Sequence, residues 1–211
     1  RSVRRFTYAS MDSRRAPGRA PEMASTAATM NASADSMGIS SVTKRLCAFN
    51  SEWVQEPGFN LCHIQAPTTT EQEVGNIHPA DYRSCKLWHN GIIKTDAVRR
   101  LQIAHQSLEK WDTLLLLQDI AEYEFTGLSK IDGSFACFYY NPCRGLYVFR
   151  NEISPLFYNL DGDFSSVKQM WMEPVPANTV FKVDIDFATK SVTLTKVVDF
   201  TTFDNPYFFM E

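Results

Sequence analysis

No apolar run in this chain approaches the ~18–20 residues that a bilayer-spanning helix needs. The densest cluster, Leu114 to Leu117, is four residues long. None of the five cysteines (Cys47, Cys62, Cys85, Cys137, Cys143) stands two residues from another. This spacing indicates neither a zinc ribbon nor a dithiol redox motif. Their odd number argues for free thiols in a reducing compartment. The four histidines, His63, His78, His89 and His105, have no metal-ligand spacing; read singly, each is a satisfied core or surface histidine. No internal repeat is visible. Neither a metal nor a cofactor is expected.

What is present is a chain of 211 residues, 44% hydrophobic and 13% aromatic, enough for one ordinary domain with a sizeable core plus an extension. The net charge of -3 conceals an asymmetry. Residues 1–46 hold eight Arg/Lys against three Asp/Glu, whereas the remainder holds thirteen against twenty-one. A basic arm, residues 1–42, is therefore expected to precede an acidic domain, residues 43–211.

Arg1, Arg4, Arg5, Arg14, Arg15 and Arg19 crowd the start of the arm, and Ser, Ala, Thr and Met follow, with Pro17 and Pro21 as helix breakers. Arg-rich, Ser-rich and acid-poor composition is that of an organellar import sequence. With a first residue other than Met, the expectation is a processed mitochondrial protein, or alternatively a plastid one. The competing expectation is a disordered basic tail, because such a segment cannot bury a core of its own. It gains order only by lying against something, so residues 1–46 are expected to contact neighbouring subunits of a large assembly. The arm lacks the lysine runs and stacking aromatics of a nucleic-acid binder, and direct nucleic-acid contact is not expected.

In the domain, residues 43–50 and 59–65 read as strands. Ser84 to His89 reads as a short strand ending at Asn90-Gly91, a hairpin dipeptide, with Ile92-Ile93 beyond it. Asp96 is placed to cap a helix over residues 97–105, and Asp112 or Thr113 a second one through Ala121. Residues 133–140 and 145–150 form a hairpin about Asn141-Pro142-Cys143-Arg144. Residues 155–158 read as a strand, and residues 165–171 as a helical turn. Residues 179–184 and 191–198 form a late hairpin, and the aromatic tail 203–209 is expected to pack down. Strands, two helices, then antiparallel strands suggest an α+β domain with two stacked sheets.

Several segments, in order, resemble the glutaminase domain of class II glutamine amidotransferases, which are N-terminal-nucleophile hydrolases. They are His63-Ile64-Gln65-Ala66-Pro67-Thr68, Leu87 to Ile93 with its Asn90-Gly91, and Trp111-Asp112-Thr113. Asp132 to Phe138, Val148-Phe149-Arg150, Ser154 to Tyr158 and Val175 to Thr179 complete the set. The resemblance covers roughly residues 46–185. It implies a four-layer αββα sandwich. In such enzymes an N-terminal cysteine thiolate attacks the glutamine amide and its own amine serves as base. An Asn side chain and a Gly N–H stabilise the oxyanion, each such donor being worth ~3 kcal/mol.

By this resemblance Asn90 and Gly91 match the oxyanion hole, Asp112 the carboxylate that holds the substrate ammonium, and Thr68 the loop threonine near the substrate. Cys47 is the nucleophile candidate. Two positions depart from the pattern. Gln65 stands where the family has an arginine for the substrate carboxylate, and an amide cannot form that charged fork. Cys47 follows Leu46 in a peptide bond, so its nitrogen is no base unless the chain is cut there. Each residue also has a plain reading: Asn90-Gly91 as a tight turn, Asp112 as a helix cap, Cys47 and Cys62 as small buried hydrophobes. The expectation is a degenerate, non-catalytic accessory subunit of a mitochondrial respiratory-chain or ATP-synthase complex. The alternatives are a glutamine-hydrolysing domain activated by cleavage before Cys47, and a module that binds an amino acid without turnover.

Overall fold

The computed structural model describes residues 5–9, 24–32, 37–45, 59–65, 76–189 and 191–202. The order of elements begins β1 (Arg5–Ala9), β2 (Ala24–Ala32), β3 (Met37–Arg45), β4 (Phe59–Gln65), β5 (Ala80–Tyr82) and β6 (Cys85–Ile93). It continues with α1 (Thr95–Ala104), α2 (Asp112–Tyr123), a 3-10 segment (Glu124–Lys130), β7 (Gly133–Asn141) and β8 (Gly145–Arg150). The last strands are β9 (Phe157–Tyr158), β10 (Phe164–Ser165), β11 (Glu173–Pro174), β12 (Thr179–Asp186) and β13 (Ser191–Asp199). This is an α+β fold with two sheets. A six-stranded central sheet runs β13-β12-β8-β7-β6-β5, and a seven-stranded second sheet runs β11-β9-β10-β1-β4-β2-β3.

The central sheet is antiparallel throughout. Its middle strands are buried on both faces, which is why β7 reads as an almost unbroken apolar run. Side chains alternate across a strand. Phe135, Cys137 and Tyr139 of β7, with Tyr147 and Phe149 of β8, enter one core with Ala97 and Leu101 of α1 and Leu115, Leu116 and Ile120 of α2. Ala136, Phe138, Leu146 and Val148 point the other way. They join Trp88 of β6, Ala28 and Met30 of β2, and Phe59 and Leu61 of β4. One core thus lies between the helices and the central sheet, the other between the two sheets. Both described α-helices belong to the first. No helix among the described residues is long and apolar enough to cross a membrane.

The arm meets the described residues at β1, β2 and the start of β3. All three pair inside this chain: β1 lies parallel to β4 and β10, and β2 is antiparallel to β3 and β4. β4, the two long hairpins and both helices lie within a few residues of the sequence expectation. Three readings need correction. The strand expected over 43–50 is Met37–Arg45, and residues 46–50 lie outside the described residues, as does the 203–209 tail. No helical turn forms over 165–171: Ser165 closes β10, and bends and turns follow. Asn90-Gly91 is no hairpin turn. β6 continues through it, with Asn90 opposite Ala136 and Gly91 opposite Phe135. Pairing with β7 along eight of the nine residues of β6 overrides the local turn preference of the dipeptide.

Candidate functional site

Gly91 sits in the stretch where β6 meets the first residues of β7. Its φ is +146°, and a Cβ there would stand 1.9 Å from the carbonyl oxygen of Ser134. Only glycine allows this approach. The same stretch is tied to its surroundings at successive residues. The Asn90 carbonyl accepts from Ser154 Oγ at 3.1 Å, and the Ile92 N–H donates to Ser134 Oγ at 3.0 Å. The Ile93 N–H donates to Asp112 Oδ2 at 3.1 Å.

Asp112 is the first residue of α2, not its cap, which is Trp111 with no side-chain bond. Its other oxygen, Oδ1, accepts the Thr113 N–H at 2.7 Å. A carboxylate in the first turn satisfies donors that the helix start leaves open. Both Asp112 oxygens are thus engaged by main-chain N–H groups, one on β6 and one on α2. The structure therefore ties Asp112 to β6 at Ile93, two residues beyond Gly91. Gln65 closes β4 opposite Ala24. Cys47 and Thr68 lie outside the described residues.

Beside this junction is an arrangement that the sequence reading missed. His63 of β4, His78 ahead of β5 and His89 of β6 are 1%, 5% and 3% exposed, and they gather with Thr113 of α2, itself 1% exposed. The ring centroids of His63 and His78 are 4.4 Å apart, and those of His78 and His89 6.5 Å. Trp111 meets His78 edge-on at 5.3 Å. The Thr113 hydroxyl lies 3.1 Å from both His78 Nε2 and His89 Nδ1.

The proton positions follow from donor and acceptor capacity. His89 Nε2 faces the Ser134 carbonyl at 3.2 Å, and a carbonyl only accepts, so Nε2 carries the proton of a neutral ring. Nδ1 of that ring is then an acceptor, and Thr113 donates to it. His78 Nε2 in turn donates to Thr113 Oγ1. The Thr113 hydroxyl has a longer alternative, Asp112 Oδ1 at 3.3 Å.

Burial is the main cause of the electrostatics here. It pushes His63 down to about 3, with His89 adding to the effect. It holds His78 well below the ordinary histidine value, with His63, His89 and Lys44 adding to it. Burial, and then the Asp112 charge, push the Cys137 thiol well above its ordinary value. Cys137 therefore stays a neutral thiol near pH 7, unsuited to nucleophilic attack. Cys62 and Cys85 are also buried thiols, and Cys143 is an exposed one.

No group of three or more His, Cys, Asp or Glu among the described residues is arranged to hold a metal ion. A second charged cluster lies further along α2, where His105 sits 3.4 Å from Asp119 and 3.3 Å from Glu122. The Tyr82 hydroxyl donates to Glu122 at 2.8 Å. A cleft of about 200 Å³ opens near that end of α2, lined by Glu122, Glu124, Phe125, Tyr139, Arg144 and Tyr147. None of the candidate residues lines it.

The histidine cluster left no trace in sequence spacing because its members are 15, 11 and 24 residues apart along the chain. The one legible hint was the placement of His63 and His89 inside apolar strand patterns. No protein-family model matches this chain, and no curated protein does.

Proposed function

We propose that this domain is an amidotransferase-like αββα sandwich that no longer hydrolyses glutamine. It serves as an accessory subunit of a large organellar assembly, such as a mitochondrial respiratory-chain or ATP-synthase complex. The observation that carries this reading is the engagement of Asp112. The carboxylate that would hold a substrate ammonium instead joins the end of β6 to the start of α2. Gln65 and the peptide-bonded Cys47 point the same way. The exposed apolar side chains Leu160, Val167, Met170 and Trp171, within twelve residues, are what a surface covered by a partner carries.

The bond from Ile93, two residues beyond Gly91, to Asp112 favours a second reading, a glutaminase matured by cleavage before Cys47. Intact mass and N-terminal sequencing of the native protein, sized on a gradient, separate the two. Chains that retain residues ahead of Cys47, migrate in a large complex and release no ammonia from glutamine support the accessory subunit. A free chain beginning at Cys47 and releasing ammonia overturns it. Heat on titration with glutamine, without ammonia release, would assign the pocket to amino-acid binding.

A further inference from the structure

The histidine cluster is the place where three layers meet. His63 belongs to the second sheet, His89 to the central sheet and Thr113 to α2, and His78 touches all three. The rest of the second sheet is held by apolar contacts between the sheets, a core distinct from the one under the helices. We propose that this cluster is an acid-sensitive latch: proton uptake by His63 and His78 releases β4 from the body formed by the central sheet and helices.

The surroundings favour release on protonation. From β3, Lys44 donates to the Pro79 carbonyl, placing a positive charge next to His78. From β5, Asp81 is already paired with Lys44 and Lys86. From β7, Cys137 lies opposite His89 and stays a neutral thiol. From β4, Cys62 is a buried thiol. From α2, Asp112 reaches the cluster only through Thr113, and it already serves two main-chain N–H groups. A proton on His63 or His78 would sit 4.4 Å, ring to ring, from the other imidazole.

The sign is fixed by the direction of both shifts. Each histidine takes a proton less readily when closed than when open. The closed form is therefore fully favoured above the ordinary value of 6.5 and loses ground as pH falls toward 3. At pH 5.0 His63 alone shifts the closed–open balance by about 30-fold, and His78 adds to it in the same direction. The latch does not depend on whether the domain hydrolyses glutamine.

The test is amide hydrogen exchange on the full chain at pH 7.5 and 5.0, corrected for intrinsic exchange rates. The expected result is a loss of protection in residues 59–65 at pH 5.0 of ~30-fold or more, with residues 133–150 protected. The double variant His63→Leu/His78→Gln should keep residues 59–65 protected at both pH values. Three results overturn the proposal: no loss in the wild type, equal loss in both segments, or the same loss in the variant. If the variant does not fold at pH 7.5, wild-type histidine NMR decides. Titration of His63 and His78 below 6.5, in step with opening of β4, supports the latch. Titration of either at its ordinary value in a closed protein overturns it.

Discussion

The carbonyl oxygen of Ser134 lies 1.9 Å from where a Cβ on Gly91 would stand. That contact is main chain against main chain, so no side-chain rotation relieves it. β6 and β7 separate if residue 91 is anything but glycine. Gly91→Ala, which also faces an unfavourable φ of +146°, is expected to cost about 2–4 kcal/mol. Urea unfolding of the variant against wild type measures it. A change below ~0.5 kcal/mol would show that the two strands can part without penalty.

Thr113 is the shared partner of two buried imidazoles. Thr113→Val keeps the shape and removes the hydroxyl, leaving a buried donor and a buried acceptor unmet. The expected loss is about 2–4 kcal/mol, whereas Thr113→Ser should stay within ~1 kcal/mol. Equal stabilities for the Val and Ser variants would mean that the hydroxyl holds nothing together.

Asp112 joins β6 to α2 through two N–H groups. Asp112→Ala is expected to destabilise the chain by ~2 kcal/mol. A residue kept for substrate alone would leave stability unchanged and abolish glutamine binding. Thermal unfolding beside calorimetry with glutamine distinguishes these roles.

The His105 side chain is 4% exposed between Asp119 and Glu122. Burial raises Asp119 above the ordinary carboxyl value, against the opposing pull of His105. Removing that pull in His105→Leu leaves a buried carboxylate without its neighbour, at about 1–3 kcal/mol. A group whose folded value is raised stabilises below its unfolded value and loses that contribution as pH rises. The variant's deficit should therefore be larger at pH 7 than at pH 4, as unfolding at the two pH values would show. A larger deficit at pH 4 would refute the assignment.

Among Cys62, Cys85, Cys137 and Cys143, only Cys143 is exposed. Brief alkylation of the native protein with iodoacetamide near pH 7.5 should modify Cys143, leaving the other three until the chain is unfolded. Peptide mapping reads the outcome, and native labelling of Cys137 would contradict its burial.

The elements that could be read from the sequence are those whose signals are local. Alternation over Phe59–Gln65 and the hairpins Gly133–Arg150 and Thr179–Asp199 follow from period-two patterning with turn residues between. The helices follow from apolar spacing, and Asp112 was legible as a helix-start residue. Asn90-Gly91 misled as a turn because its local preference is real but weaker than eight residues of pairing with β7. β9 fell within the strand read over 155–158, whereas β10 and β11 were not legible, since two residues carry no period.

The sequence by itself determined the α+β class and the main strands and helices, because each depends on neighbours within a strand or a helical turn. Only the tertiary structure decided that Asp112 spends both oxygens on main-chain donors. It alone decided that three histidines from two sheets and a loop share one buried site. Burial and long-range contact arise when separate elements pack, and chain spacing holds no record of which faces will meet.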